Sequence, residues 1–138
     1  KIINPQKIFM GEKDFQQLYL VKNELGKKYK TKVIPCKTIR DRNNVALSSR
    51  NFLLKKHNLV IAAKIFEKLV HIKKNIRNKK NISSFLKLQK KELKNNYKIK
   101  IDYLELRNIN NLKISSTTKN SRLFIAYYLN NVRLIDNL

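Results

Sequence analysis

The chain has 138 residues and a formal charge of +23, from 32 basic and 9 acidic side chains. Apolar residues make up 42%, and six Tyr and six Phe supply enough aromatic mass for a core, which argues against disorder. Two Gly and two Pro exclude collagen-like or linker-like character, a lone Cys36 excludes an intrachain disulfide or a multi-cysteine zinc site, and no apolar run approaches the ~18 residues of a membrane span.

Residues 7–10, Lys-Ile-Phe-Met, read as a short buried strand. Gly11-Glu12-Lys13-Asp14 follows, and from Phe15 the apolar spacing Phe15, Leu18, Val21, Leu25 predicts a helix capped by Asp14 and stopped by Gly26. Residues 31–36 read as a second strand, weakened by Pro35. A polar connection through Arg40, Asp41, Arg42, Asn43 and Asn44 leads to Val45-Ala46-Leu47-Ser48-Ser49-Arg50-Asn51.

The second half changes period. Leu59, Ala62, Ala63, Phe66, Leu69, Val70 and Ile72 mark one face of a helix over 56–74, and Ile82, Phe85, Leu86 and Leu93 another over 82–95. The Lys, Arg and Asn of 75–81 predict a solvated loop between them. Strands are expected at 99–107, 122–129 and 132–135. The middle one is apolar on both faces and so should be central and covered. Asn130-Asn131 should turn the last hairpin, because Asn tolerates positive φ. The expected organisation is therefore α/β: a strand-helix-strand piece at 1–51, then a helix-helix-sheet unit with a mainly antiparallel sheet at 52–138.

Two segments carry candidate chemistry. Gly11-Glu12-Lys13-Asp14 stands where a strand turns into a helix, suited to phosphate or ribose: Gly11 admits a ligand to the backbone, Lys13 brings a cation, and Asp14 can accept from hydroxyls. Alone the signal is weak, and a capped helix start with a surface lysine is the plainer reading. Ser48-Ser49-Arg50 offers two hydroxyls and a forked guanidinium to an anion, or simply an N-cap cluster before the next helix. His57 and His71 lie in lysine-rich helical text and read as surface residues, Cys36 as a small buried apolar one, and Tyr127-Tyr128 as the core and rim of a strand.

Taken together the segments form a pattern. Phe9-Met10-Gly11-Glu12-Lys13-Asp14-Phe15-Gln16-Gln17-Leu18 resembles the Phe-Gly-Glu-Lys-Asp-[Phe/Tyr]-Gln-Gln-Leu segment of the pantothenate synthetase (pantoate–β-alanine ligase) family. Ala46-Leu47-Ser48-Ser49-Arg50-Asn51 resembles that family's Leu-Ala-[Leu/Met]-Ser-Ser-Arg-Asn signature, and Thr38-Ile39-Arg40, Asp102-Tyr103-Leu104-Glu105 and Arg133-Leu134-Ile135-Asp136-Asn137 are similar to further family segments in the same order. The resemblance spans this chain but only the later half of the family protein. Met10 stands where Phe is usual, Pro35-Cys36-Lys37 where Gly-Val-Pro is usual, and Asn43-Asn44 in place of Asp-Gly.

The resemblance implies the tail of a Rossmann-like nucleotidyltransferase domain followed by a small α+β lid domain. It implies ATP-dependent ligation of pantoate and β-alanine through a pantoyl adenylate, releasing AMP and pyrophosphate, with Mg²⁺, in a cytoplasmic homodimer. ATP would meet Gly11, Glu12, Lys13, Asp14, Ile39, Leu47, Ser48, Ser49 and Arg50. Lys13 would lie near phosphate and Asp14 near ribose; Ile39 and Leu47 would flank adenine. Ser48, Ser49 and Arg50 would form a mobile phosphate loop, like the Lys-Met-Ser-Lys-Ser loop of class I tRNA synthetases. Gln17 would hold pantoate. Lys13 and Arg50 would meet developing phosphate charge, and this half alone is expected to be inactive.

Two other readings use the same residues. A basic RNA-binding module would explain +23, but it should gather the charge on one face beside exposed aromatics. With 25 Lys against 7 Arg, 18 Asn, 16 Ile and 4 Ala, the composition is also what AT-rich codons give any protein, and nucleic acid is not an expected partner. Another adenylate-forming nucleotidyltransferase would share the Ser48-Ser49-Arg50 logic without needing Gln17. Residues 1–10 carry no secretory signal, and the start without Met is as expected of a piece cut from a longer protein.

Overall fold

The computed structural model describes residues 5–138, and its contacts gather the chain into two compact units, Lys1–Ile39 and Arg40–Leu138. The architecture is mixed α/β, with a two-stranded parallel sheet in the first unit and a three-stranded antiparallel sheet in the second. The units divide ahead of the 51/52 boundary expected from the change in periodicity, because residues 40–51 are bonded into the second unit. Among the described residues, no helix is long and apolar enough to cross a membrane.

In the first unit, β1 (Lys7–Gly11) pairs in parallel with β2 (Lys32–Cys36), Ile8 opposite Val33 and Met10 opposite Pro35. A helical crossover joins them: a 3₁₀ turn at Glu12–Asp14, α1 (Phe15–Leu20), a π-helical stretch at Val21–Leu25 and α2 (Gly26–Tyr29). The expected single helix stopped by Gly26 is thus corrected twice. The helix runs past Gly26 to Tyr29, and it widens midway. There the Asn23 side-chain amide donates to the Tyr19 carbonyl at 3.0 Å, the acceptor that an α-helical Asn23 N–H would use. Cys36 is exposed rather than buried: strand alternation in this small sheet leaves its side chain on an uncovered face.

The second unit packs two helices on its sheet. α3 (Lys56–Asn75) buries Ala62, Ile65, Leu69 and Ile72, which recur at helical spacing, and α4 (Ile82–Tyr97) buries Ile82, Leu86 and Leu93. The basic link between them is not simply a solvated loop. Ile76 opens a 3₁₀ turn (Ile76–Asn78) and is buried in the core, the one strongly apolar side chain in that stretch. His57 and His71 are on the surface, as read. Asn81 caps α4 by accepting from the Ser84 N–H at 2.9 Å, and Lys98 ends it in the left-handed conformation.

The sheet order is β3 (Lys100–Asn108), β4 (Ser121–Leu129), β5 (Val132–Asn137), with the expected doubly apolar strand at the centre. Leu123, Ile125, Tyr127 and Leu129 join the helical core, while Phe124 and Ala126 are buried on the alternate face. A bulge at Asp102 shifts the β3 phase, so that Ile101 and then Leu104 and Leu106 all reach the core. Lys90 of α4 donates to the Asp102 carbonyl freed there, at 2.6 Å, and Arg133 of β5 pairs with the Asp102 carboxylate at 2.8 Å. Asn130, at φ 53°, turns the β4–β5 hairpin.

Ile65 has no exposed surface, so Ile65→Ala should destabilise this unit by about 2–5 kcal/mol through lost burial and a residual cavity. Val60→Ala, on the exposed side of the same helix, should change stability by less than about 0.5 kcal/mol. Urea midpoints at unchanged slope measure both; similar losses in the two variants would contradict the packing described.

Candidate functional site

The two candidate segments fall on different units. Gly11, Glu12, Lys13, Asp14 and Gln17 come together on the first, at the end of β1 and the first helical turns, with Ile39 at its far boundary. Leu47, Ser48, Ser49 and Arg50 come together on the second.

Gly11 has φ −67° and ψ 133°, which any residue adopts, and a side chain there would meet nothing within 4 Å. Neither the turn nor the packing of this chain requires glycine. Glycine leaves the backbone uncovered there. Asp14 makes no side-chain capping bond, contrary to the expected N-cap role, because the 3₁₀ turn at Glu12–Asp14 already begins the helix and draws Asp14 inside it; its carboxylate is exposed. Gln17 is exposed one helical turn beyond Lys13, on the same side of the run. Ile39 is 72% exposed and Leu47 52%, high for aliphatic side chains.

The second segment is a closed loop. Arg40 and Ala46 form an antiparallel bridge, and Asp41 N–H donates to the Val45 carbonyl at 3.0 Å. Asp41 Oδ1 accepts from the N–H groups of Asn43 (2.8 Å) and Val45 (2.9 Å). Asn44, at φ 64°, keeps the left-handed turn that glycine would otherwise supply. Beyond it Ser48, extended at φ −160°, accepts through Oγ from the Arg50 N–H at 3.2 Å and so caps the 3₁₀ turn Ser49–Leu53. The bland capping reading therefore holds for Ser48, while Ser49 and Arg50 stay exposed. Asn51 Nδ2 donates back to the Ala46 carbonyl at 3.2 Å; its Oδ1 is buried with no partner among the described residues.

What single-residue reading missed is the anchor of this loop. Arg40 grips Asp136 of β5 with both terminal nitrogens, Nη1 to Oδ2 at 2.7 Å and Nη2 to Oδ1 at 2.8 Å. Nη1 also donates to the Asn44 carbonyl at 3.1 Å, and Cζ lies 4.1 Å from the centre of the Phe66 ring on α3. Opposite charges in two of the quoted family-like segments were the available signal, but 96 residues separate them. Among the described residues no three His, Cys, Asp or Glu come together to hold a metal.

The model of the pantoate-beta-alanine ligase family matches residues 1–138. The chain belongs to the pantoate-beta-alanine ligase family. A pantothenate synthetase of Flavobacterium psychrophilum is 36% identical over 142 residues, covering 100% of this chain and 50% of that protein. One from Vesicomyosocius okutanii is 32% identical, covering 100% of this chain and 49% of that protein. The crystal structure of pantothenate synthetase from Thermus thermophilus superposes with TM-score 0.85 at 27% identity, over 97% of this chain and 49% of that one. A pantoate-beta-alanine ligase from Francisella tularensis, complexed with beta-gamma ATP and beta-alanine, superposes with TM-score 0.70 at 33% identity, over 98% of this chain and 44% of that one. The chain thus spans about half the length of the curated relatives it matches.

In this member of the family the anchor of the loop also perturbs a neighbour. Burial first, and then the negative charge of Asp136, push the Tyr127 hydroxyl well above its ordinary range, with Arg40 opposing. The native state therefore holds this proton at pH values where the unfolded chain has lost it. That contribution to stability is complete below about pH 10 and declines as pH rises above it. Thermal melts should show the wild type losing stability relative to Tyr127→Phe between about pH 9 and 11.5. A difference that stays constant over this range would mean the hydroxyl does not titrate differently on folding.

Proposed function

We propose that this chain is the later half of an enzyme that joins pantoate to β-alanine. In the reading, a pantoate carboxylate oxygen attacks the α-phosphorus of ATP and pyrophosphate leaves. The β-alanine amine then attacks the acyl carbon of the pantoyl adenylate, AMP departs and the amine proton is released. Activation as an adenylate turns a poor leaving oxygen into a good one.

The observation that carries the reading is the run Gly11–Asp14 on the turn from β1 into the helix, with open space over Gly11, in a chain that matches the family along its length. Lys13 would supply a cation to phosphate, and the exposed Asp14 carboxylate would accept from ribose hydroxyls. Gln17 would orient pantoate. Ile39 and Leu47, each exposed on its own unit, would be the aliphatic groups offered to adenine. Ser48, Ser49 and Arg50 would meet the departing pyrophosphate, where preorganised donors count most. The Francisella tularensis relative, solved with beta-gamma ATP and beta-alanine, supports both substrates. Mg²⁺ characteristically takes phosphate oxygens and keeps its waters rather than filling a protein cage; no such cage is expected from these residues.

The 138-residue chain by itself should form no pantothenate from pantoate, β-alanine and ATP, because effective positioning of both reactants supplies on the order of 7–11 kcal/mol in favourable cases. Turnover by the isolated chain would overturn this.

In the full-length enzyme, Lys13→Ala should slow pyrophosphate release by ~10²–10³ with the melting temperature nearly unchanged. Arg50→Lys should also be impaired, since a point charge cannot reproduce a bidentate fork. Amide formation from preformed adenylate should suffer less in both. Single-turnover measurement of each half-reaction decides the matter: a Lys13→Ala enzyme slowed only in the second step would refute the phosphate role.

A further inference from the structure

Among the described residues Ser48–Arg50 carry no ion pair of their own to a helix or strand, yet a phosphate-binding segment must be held in place to act in a transition state. The bonds that hold it lie elsewhere. Ala46 is tied on one side to Arg40 through the antiparallel bridge and on the other to Asn51 Nδ2. Leu47 to Arg50 are therefore strung between Ala46 and Asn51; the Ala46 end traces back to Arg40, while the turn that follows packs on β5 and Leu54 enters the core. Arg40 is in turn fixed by the fork on Asp136, by the Asn44 carbonyl and by the Phe66 ring. Asp136 is 8% exposed, and its Oδ1 also accepts from the Asn137 N–H at 2.8 Å, so the carboxylate has little freedom.

We propose that Arg40 and Asp136 are positioning residues for the Ser48-Ser49-Arg50 segment, setting where its donors meet phosphate without touching the nucleotide themselves; this rests on the phosphate role proposed for that segment. The guanidinium of Arg40 is committed to a carboxylate, a carbonyl and an aromatic face, which leaves it poorly placed to serve as a phosphate ligand. The charge of the pair is internally balanced, so its contribution to the reaction is geometric. Misplacement of a catalytic group by about 1 Å can cost ~10²-fold in rate.

The test uses the full-length enzyme and four forms: wild type, Arg40→Lys, Arg50→Ala and the double variant, with Asp136→Asn as a second probe of the pair. Arg40→Lys keeps the charge but loses the fork, so it should fold and carries the test even if Asp136→Asn does not. At saturating ATP, Arg40→Lys should slow single-turnover pyrophosphate release about tenfold or more, and leave amide formation from preformed adenylate within about twofold. In the Arg50→Ala background the same substitution should have only a small further effect, because the group being positioned is gone. Equal losses in the two backgrounds, or no loss, would overturn the positioning role while leaving the phosphate segment intact. An Arg50→Ala enzyme with unimpaired pyrophosphate release would instead overturn the phosphate reading, and the positioning role with it.

Discussion

The Arg40–Asp136 fork decides how the second unit is put together. An ion pair this enclosed loses hydration on both sides and is sustained only where every remaining donor and acceptor finds a partner. Here the fold supplies most of those partners, and Arg40 keeps 19% of its side chain in solvent. Both terminal guanidinium nitrogens reach the carboxylate, one also reaches the Asn44 carbonyl, and the Phe66 face covers the charge. The Asn137 N–H donates a further bond to Asp136. The geometry is two-pronged and planar, which lysine cannot supply. Because the pair joins the first residue of a loop to the last strand of the sheet, the compact unit begins at Arg40 rather than at the first long helix.

The remainder of that unit makes β5 a firm place to anchor. Its neighbour β4 is buried on both faces and sits at the centre of the sheet, where side chains from α3 and α4 share one core with it. The bulge at Asp102 could have weakened the β3 side. Instead its freed carbonyl and its carboxylate are used by Lys90 and Arg133, so helix, bulge and far strand are linked. The polar residues thus work at two places, one holding the sheet to α4 and the other holding the loop to the sheet.

Much of this was legible in the sequence because it is written in short periods. Ile65, Leu69 and Ile72 announce a helix face, and the doubly apolar run 122–129 announces a covered central strand. Asn44 and Asn130 announce turns. The motif residues were legible as chemistry-bearing types in an order that resembles one family. Features that depend on distant partners were not. The Arg40–Asp136 pair needs the folded sheet to bring its members together, and the Cys36 exposure depends on what covers β2. The helical crossover erred locally for a different reason. Gly26 signals a stop only when the chain reverses there, and an Asn23 side chain that captures a backbone carbonyl leaves no mark in apolar spacing. Ile76, set among Lys, Arg and Asn, was hidden by its neighbours' charge although its own side chain belongs to the core.

The claim that one ion pair fixes the loop is tested most directly by amide hydrogen exchange on the chain itself. In the wild type, the Asn44, Val45 and Asn51 N–H groups donate to Asp41 and Ser48 within the loop and should be protected. In Asp136→Asn, which keeps the side-chain shape but removes the charge, these amides should exchange markedly faster, while Leu123 and Ile125 of β4 keep their wild-type rates. Loop amides that exchange equally slowly in both proteins would show that the loop holds its shape without the pair, which contradicts the anchoring role of Arg40 and Asp136.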